Sequence, residues 1–379
     1  MAWVGMAGSG MAQDLRPSDK LVAAIDKLVE KNGIHSTEPG VAILIRQPGK
    51  LVFQKGYGLA NLKTEKPITP RTMFELASVS KTFTATAVLI LHDRGNLAIQ
   101  DDVRKYVPEL PEYQRNSPIH IHDLLHHTSG LPEYFGIENV PKRHKTHWVN
   151  EDYVEVFAKR RNELTLTFAT GTKYEYCNTN YMLLATIIER VSKKPFGQFL
   201  HDEIFVPVGM ENSFVYESPQ AVPENQPPGC IRAVAYEWKK KREIWEASWG
   251  APPARSEELL VVGDGGVWTN LEDMAHWDIA VRAGKLLKPE TWKLALTPSK
   301  TRDGKPFAYG LGWMPYYDKP DEIYGFGHDG SWGGFNTTYY RYLTADRTTV
   351  LLSNRGNIDT DKLWTGLDKL VESHVGPKK

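Results

Sequence analysis

Strand-like patterns lie near both ends of this 379-residue chain, with a long helical stretch between them. Residues 41–45 and 51–54 flank the Pro48-Gly49 turn and predict a hairpin. Later runs predict four more strands, at residues 310–313, 323–326, 337–340 and 348–352. Short turns favour antiparallel pairing, and the N-terminal hairpin can join the same sheet. We therefore predict an α+β fold, with an antiparallel β-sheet flanked by helices and an all-helical region.

Helical patterns occupy both termini and the middle of the chain. A first helix is predicted to begin after the Ser18 cap and to end near Gly33. A closing helix would turn Leu363, Leu367 and Val371 inward. Other helices are predicted from residue 78 to about residue 91, over residues 121–127, from residue 179 onward, and after the capping-box pair Thr269 and Glu272.

These elements suggest two domains. We assign residues 14–77 and 305–379 together to an α/β sheet domain, and residues 78–304 to a mainly helical domain with loop insertions. Residues 1–13 are interpreted as a disordered leader or an added tag. A ligand cleft is expected where the two parts meet.

The composition narrows the range of partners. Basic and acidic residues number 46 each, so the net charge favours neither nucleic acid nor an anionic membrane as a partner. Residues 1–11 lack a basic region and a long apolar core, and they predict no signal peptide or stable membrane anchor. Only Cys177 and Cys230 are present, so a disulfide framework is excluded. A single bridge, the compartment (cytoplasmic, periplasmic or secreted) and the oligomeric state stay open.

The first chemical motif is S-x-x-K, formed by Ser78 and Lys81 at the start of a long apolar run. At helical spacing both side chains lie on one face, so the amine approaches the hydroxyl. Serine becomes a nucleophile when a base takes its proton, and burial lowers the pKa of a lysine enough for that task. A serine at a helix start is otherwise an ordinary cap, so the motif needs partners elsewhere in the chain.

A Y-x-N triplet, Tyr176 and Asn178, precedes the helix predicted from residue 179. The phenol can carry a proton if the nearby Lys81 lowers its pKa. The amide can hold a substrate amide and orient the lysine through its carbonyl. A packed tyrosine and a capping asparagine would give the same pattern.

A third motif is glycine-rich and includes His328, Gly330 and Ser331 near a strand edge. Glycine allows a ligand to approach the backbone closely, and a strand amide can donate to an oxyanion. A glycine-rich turn with no function would give the same sequence pattern. The motif is more informative because it follows the other two motifs in the chain.

With these motifs in order, the chain resembles the serine hydrolases of the class C β-lactamase and penicillin-binding-protein superfamily. The likeness runs from about residue 40 to residue 354. It rests on Ala77-Ser78-Val79-Ser80-Lys81, Leu124-Leu125-His126-His127-Thr128-Ser129-Gly130-Leu131-Pro132, Tyr176-Cys177-Asn178 with Tyr181, Gly265-Gly266-Val267-Trp268-Thr269, and Tyr309-Gly310-Leu311-Gly312-Trp313 before His328-Asp329-Gly330.

The resemblance implies a β-lactamase/transpeptidase-like fold and an acyl-enzyme mechanism. Ser78 would attack a carbonyl, while Lys81 and Tyr176 would transfer protons. The backbone amides of Ser78 and Ser331 would bind the oxyanion. The predicted substrate-binding residues are Asn178, His328, Gly330 and Ser331. The resemblance calls for no metal and no organic cofactor.

One departure bears on the substrate. Many β-lactamases of this group carry Lys-Thr-Gly where this chain has His328-Asp329-Gly330. An imidazole is mostly uncharged at neutral pH unless Asp329 raises its pKa, so the cation for a substrate carboxylate is lost or weakened. We therefore predict a carboxylesterase-like serine hydrolase that cleaves esters, or less readily amides, of small acyl substrates.

Other functions stay open beside this prediction. A β-lactamase, a DD-peptidase or a D-aminopeptidase is the alternative within the superfamily. A slowly deacylating penicillin-binding sensor is an alternative of another class. The intact S-x-x-K motif argues against a purely structural protein.

Four histidines, at residues 120, 122, 126 and 127, also raise the question of a metal site, because His122 and His126 have i, i+4 spacing. A zinc site wants a third ligand and an open position. The resemblance places His127 in a structural loop, so we predict that these histidines are packing residues and that no metal is bound. Cys177 is likewise predicted to be a small buried residue beside Tyr176.

Overall fold

A six-stranded antiparallel sheet is the centre of the fold, in a computed structural model that describes residues 18–114, 116–218, 221, 229–248, 258–319 and 322–375. The predicted leader, residues 1–13, lies outside these ranges. The strands of the sheet are β1 (Val41–Arg46), β2 (Leu51–Tyr57), β3 (Met314–Lys319), β4 (Glu322–Trp332), β5 (Phe335–Tyr342) and β6 (Arg347–Ser353). Their spatial order is β3-β4-β5-β6-β1-β2. The two ends of the chain therefore meet at the β6–β1 pair, where Val41 lies opposite Ser353.

The longer helices cover this sheet and build a layer beside it. They are α1 (Asp19–Lys31), α2 (Ser80–Asp93), α3 (Ile121–Leu125), α4 (Asn150–Lys159), α5 (Asn178–Ser192), α6 (Leu271–Arg282), α7 (Pro289–Leu296) and α8 (Thr360–Val375). Shorter helical segments are Ala77–Val79, Val103–Lys105, Tyr134–Gly136, Phe196–Leu200, His201–Phe205 and Val206–Val208. Small strand pairs and triplets link the layers: Leu59–Asn61 with Lys66–Pro67, Phe74–Glu75 with Val267–Thr269 and Phe214–Val215, Tyr236–Lys239 with Ile244–Ala247, and Ser299–Lys300 with Pro306–Phe307.

Strand β1 is apolar at five successive positions because both faces of the sheet are covered. On one face Ile43 packs in a cluster with Ile25 of α1 and Leu367 of α8. On the other face Leu44 belongs to the larger core that contains α2. Every residue of α2 from Ser80 to Leu91 is buried, so the helix that holds Lys81 is fixed along nearly its whole length.

The predicted α+β class is confirmed, as are the N-terminal hairpin and the helices α1, α5 and α8. The basic run at residues 239–242 lies at the tip of the hairpin formed by Tyr236–Lys239 and Ile244–Ala247. The division into two domains at residues 78 and 304 stays a prediction.

Two predicted elements are wrong. Residues 310–313 form no strand, because Gly312 takes a left-handed φ of 80° and the amide of Leu311 bonds to the Ala295 carbonyl instead of a neighbouring strand. The strand begins at Met314. The cap of α6 is Asn270, whose side chain accepts the amide of Asp273, and not Thr269.

Among the described residues, no helix combines the length and apolar character needed to cross a membrane.

Candidate active site

Ser78 lies in the short helical turn Ala77–Val79, directly before α2. The preceding residue, Ala77, has a φ of 48°, a conformation that is uncommon for a residue with a side chain. Such backbone strain persists where the surrounding structure holds it, and it is frequent at functional sites. The predicted helix therefore starts two residues later than expected, but Ser78 and Lys81 still face each other across one turn.

Lys81 is fully buried beside Ser78. Its Nζ lies 3.0 Å from the Ser78 Oγ, 2.8 Å from the Asn178 Oδ1 and 2.7 Å from the carbonyl oxygen of Asp264. Burial lowers the pKa of Lys81 to about 8, against the opposing attraction of the carboxylates of Asp264 and Glu133. A substantial share of the neutral amine is thus present near physiological pH, directly beside the hydroxyl.

Tyr176 completes the group, since its side chain lies close enough to that of Ser78 for Ser78 to oppose the rise in the Tyr176 pKa. Lys81 Nζ lies 5.0 Å from the centroid of the Tyr176 ring, and the ring stacks on His127 at 4.3 Å between centroids. His127 is itself fixed, because its Nδ1 accepts the amide of Cys177. The expectation that Lys81 lowers the pKa of Tyr176 is wrong: burial raises that pKa above its usual value. The phenol is therefore protonated in the resting site.

Asn178 begins α5 and holds the lysine through its carbonyl, as predicted. Its amide nitrogen Nδ2 and its backbone nitrogen both donate to one carboxylate oxygen of Glu133, at 3.0 Å and 2.8 Å. One donor of the side chain is therefore already engaged by the protein. The remaining amide proton is the one that a substrate can use.

The glycine-rich motif lies on β4, against the turn that carries Ser78. A Cβ atom added at Gly330 would stand 2.5 Å from the Leu76 carbonyl oxygen and 2.8 Å from the Ser78 amide nitrogen, so only glycine allows this approach. Ser331, the next residue, lines the cavity beside Ser78. The backbone edges that carry the Ser78 and Ser331 amides are thus brought together.

His328 is placed differently from the other predicted binding residues. It is buried, its Nε2 lies 2.9 Å from the Tyr309 hydroxyl, and its Nδ1 lies 2.6 Å from the carbonyl oxygen of Asp329. Burial, assisted by the charge of Lys81, lowers the pKa of His328 to about 3. The imidazole is therefore neutral, and it is not among the residues that line the cavity.

Sequence reasoning missed Glu133 and Asp264. Glu133 follows the Leu131-Pro132 pair of the second family motif, and Asp264 precedes the Gly265-Gly266 pair of the fourth. The Tyr134 hydroxyl donates to the Asp264 carboxylate at 3.0 Å, and burial raises the pKa of Asp264 to about 6. Their position next to known motifs was the available signal, but neither motif indicated a contact with Lys81.

A cavity of about 770 Å³ opens directly beside Ser78. Its wall combines carboxylates with aromatic rings, including Tyr134, Phe135, Trp148, Tyr216, Trp268 and Trp332. Phe135 is 41% exposed and stacks on Trp332 with 5.0 Å between ring centroids. The wall therefore suits a small ligand with substantial apolar surface.

Both cysteines have free thiols and are buried. The Cys177 thiol donates to the Leu131 carbonyl oxygen, and burial raises the pKa of Cys177 to about 12. A thiol with a raised pKa is a poor nucleophile, which agrees with the predicted packing role.

This antiparallel sheet, with a helical layer that buries a lysine against a serine, defines a protein of the β-lactamase and penicillin-binding-protein class. The Beta-lactamase family model matches residues 23–371. The chain therefore belongs to the β-lactamase family, whose members are serine hydrolases.

The chain is similar to a penicillin-binding protein and to a D-aminopeptidase. It is 29% identical to penicillin-binding protein 4* of Bacillus subtilis (strain 168) over 341 residues, which cover 88% of this chain and 71% of that protein. It is 28% identical to a D-aminopeptidase of Gluconobacter oxydans (strain 621H) over 299 residues, 78% of this chain and 52% of that protein. The chain thus spans about half the length of the second relative.

The fold is also close to a solved structure, that of the octameric penicillin-binding protein homologue from Pyrococcus abyssi. The two superpose with a TM-score of 0.74 at 24% sequence identity, over 94% of this chain and 78% of the other. At this identity the likeness speaks for the fold alone.

Proposed function

We propose that this protein is a serine hydrolase that cleaves esters, and less readily amides, of small acyl substrates through a covalent acyl-enzyme on Ser78. The observation that carries the proposal is the buried Lys81 amine, 3.0 Å from the Ser78 Oγ, with its pKa lowered to about 8 by burial. A neutral amine at hydrogen-bonding distance is the base that a serine nucleophile needs.

In the proposed reaction, neutral Lys81 takes the hydroxyl proton as the Ser78 Oγ attacks the substrate carbonyl carbon. The carbonyl π electrons move to oxygen, and the backbone amides of Ser78 and Ser331 stabilise the oxyanion. Collapse of this intermediate breaks the bond to the leaving group. Tyr176 gives that group its proton and regains one from the Lys81 ammonium. Water then attacks the ester on Ser78 by the reverse of these proton transfers and releases the acid.

The cavity wall supports substrates without a carboxylate. Of the residues that the structure describes, none that lines the cavity is Lys, Arg or His, while Glu75, Glu258 and Asp264 contribute carboxylates. Burial raises the pKa of Glu75 to about 7, and repulsion from Asp264 adds to the effect. Above about pH 7, where these groups are mostly ionised, a carboxylate on the substrate would meet like charge here. This argues against β-lactams and DD-peptides as preferred substrates.

The same wall favours a second candidate activity, hydrolysis of amides or esters that carry a free amine. A substrate ammonium would compensate the carboxylate of Glu75, for which none of the described residues that line the cavity supplies a cation. The D-aminopeptidase of Gluconobacter oxydans is a relative whose name agrees with this chemistry.

A substrate panel tests both candidates. p-Nitrophenyl acetate and butyrate, nitrocefin, and D-alanine p-nitroanilide in free, N-acetylated and N-succinylated forms are compared by kcat/KM. We expect the esters to turn over, and the free and acetylated anilides to exceed the succinylated one at least about 10-fold, because only the last carries a carboxylate. Dominant turnover of nitrocefin would contradict the proposal.

Two further measurements test the role of Ser78 and distinguish repeated turnover from a single acylation. Ser78→Ala should abolish all activities while leaving the far-UV circular dichroism unchanged. A burst of one equivalent of p-nitrophenol without steady release would instead indicate the slowly deacylating sensor.

A further inference from the structure

We propose that His120, His122 and Asp123 form a divalent-metal site, suited to Zn²⁺, outside the catalytic cavity. The three residues lie at the start of α3, and one ligand atom of each falls within 4.8 Å of the other two. Two imidazoles and one carboxylate give a net charge of −1 when the imidazoles are neutral. Nitrogen-rich donor sets of this kind suit zinc, nickel and cobalt rather than magnesium or calcium. For His120 and His122, this proposal departs from the packing role that the sequence suggested.

A backbone carbonyl favours one neutral tautomer of His122. Its Nδ1 lies 3.3 Å from the carbonyl oxygen of Ile99, which can only accept, so this nitrogen carries the proton. In the neutral ring the Nε2 then presents a lone pair, and it faces the Asp123 Oδ1 at 3.6 Å. A cation between these two electron pairs, either a metal ion or the proton of an imidazolium, would remove their repulsion. A histidine whose other nitrogen donates to a backbone carbonyl is also the usual arrangement around metals.

The carboxylate of Asp123 is held in place by other groups. Its Oδ2 accepts the amide of His120 at 2.9 Å, and its Oδ1 accepts the hydroxyl of Thr128 at 3.0 Å. Each oxygen keeps a further lone pair. The carboxylate is thus oriented before any ligand arrives, as metal-binding carboxylates commonly are.

The distances agree with ligands around one ion. His120 Nδ1 lies 3.4 Å from the Asp123 Oδ2, and His122 Nε2 lies 3.6 Å from the Asp123 Oδ1. Both separations are long for hydrogen bonds. They are near the edge of about 3.3–3.5 Å that a tetrahedral zinc with bonds of about 2.0–2.2 Å sets between two ligands.

The site is open to solvent on one side and connected to the catalytic wall on the other. The side chains of His120 and His122 are 31% and 33% exposed, whereas that of Asp123 is 7% exposed. Asp123 holds Thr128 through both its carboxylate and its carbonyl oxygen, and the adjacent His127 stacks on Tyr176. A bound metal would therefore stabilise the segment behind Tyr176 and leave a coordination position for water.

Zinc binding to the whole, metal-stripped protein tests the inference. Isothermal titration with ZnCl₂ should show one equivalent bound at micromolar concentration. His120→Gln and His122→Gln should each weaken binding by at least about 10-fold, because each removes one ligand. Saturating Zn²⁺ should raise the melting temperature of the wild type by about 3–5 °C and that of the variants by much less. His201→Gln is the matched control, since it removes an exposed histidine that also neighbours an aspartate.

Co²⁺ gives a second readout that does not depend on the variants. Bound Co²⁺ should show visible absorption bands of a nitrogen-containing site, lost on addition of excess Zn²⁺. The inference is overturned if zinc binds only at millimolar concentration, if the two variants bind like the His201→Gln control, or if Co²⁺ keeps the spectrum of the free ion. If a variant loses its native circular dichroism, the Co²⁺ spectrum of the wild type decides.

Discussion

The Lys81 side chain sets the first prediction, because its amine must be neutral to accept a proton. Burial lowers the pKa of Lys81 to about 8, so the neutral fraction rises with pH up to that value and then levels off. We expect log kcat/KM for p-nitrophenyl acetate to rise with a slope near one below pH 8 and to reach a plateau above it. Tyr176 adds no second limb in this range, because its pKa is raised.

Replacing Lys81 with arginine separates the charge of the side chain from its ability to act as a base. Lys81→Arg keeps the cation but cannot give up its proton, so activity should fall by about 10³-fold or more at every pH. Lys173→Arg, at an exposed lysine paired with Glu175, should retain the wild-type profile. A flat wild-type profile between pH 6 and 9 would remove Lys81 from the role of base.

The Tyr176 hydroxyl gives the second prediction. Tyr176→Phe keeps the ring on His127 and removes only the hydroxyl that interacts with Ser78. We expect kcat to fall by about 10²- to 10⁴-fold, since one proton-transfer group is lost. The loss should be smaller for substrates with a good leaving group such as p-nitrophenol, because their departure needs less protonation.

The neighbouring Tyr174 provides the matched control. Its ring stacks on Phe307, 4.8 Å away between centroids. Tyr174→Phe should therefore leave kcat within about twofold of wild type. Equal losses in Tyr176→Phe and Tyr174→Phe would show that the aromatic packing matters and not the phenol of Tyr176.

At the scale of elements, the contact between Gly330 of β4 and the helical turn that carries Ser78 gives the third prediction. In Gly330→Ala the added methyl would stand 2.5 Å from the Leu76 carbonyl oxygen, so the strand must move away from Ser78. We expect a loss of at least about 10-fold in kcat/KM and a destabilisation of about 1–3 kcal/mol, typical of overpacking. Gly136→Ala, where no atom lies within 4 Å of the added Cβ, should change neither. Wild-type activity in Gly330→Ala would argue against an oxyanion site between β4 and the turn that carries Ser78.

Local spacing explains which elements could be predicted from the sequence. Ser78 and Lys81 are three residues apart in one helical turn, so their contact follows from helix geometry alone. The amphipathic patterns of α1, α5 and α8 are equally local. The strand predicted at residues 310–313 is absent because the Leu311 amide bonds to the Ala295 carbonyl. No local sequence pattern reveals such a tertiary contact.

The surroundings of the lysine could not be predicted for the same reason. Asp264 and Glu133 act on Lys81 from two loops that are distant in sequence, Asp264 through a hydrogen bond and its charge and Glu133 through its charge alone. Their effect depends on burial as much as on identity. The shift in the pKa of Tyr176 was predicted with the wrong sign because burial raises this pKa, and the carboxylates of Asp264 and Asp329 add to the effect. Residue type and spacing carry no measure of that burial.

At the scale of the whole molecule, one buried carboxylate joins the helical layer to the central sheet. Asp278 of α6 is fully buried, and it forms ion pairs with Arg46 of β1 at 3.1 Å and with Arg282 at 2.8 Å. It also accepts hydrogen bonds from Thr348 of β6 and from Tyr339 of β5. The site lies between these two layers, so this junction fixes the scaffold on which Ser78 and Gly330 meet.

The last prediction concerns this junction. Asp278→Asn keeps the volume but leaves the buried Arg46 without its counter-charge, which should lower the free energy of unfolding by about 3–5 kcal/mol in urea denaturation. Asp202→Asn, at a solvent-exposed pair with Lys194, should keep a midpoint close to that of wild type. Because Asp278 touches none of the reacting groups, the folded fraction of Asp278→Asn should retain its KM and kcat. A midpoint unchanged from wild type would mean that apolar packing of the two layers, and not this ion pair, holds the proposed catalytic residues in position.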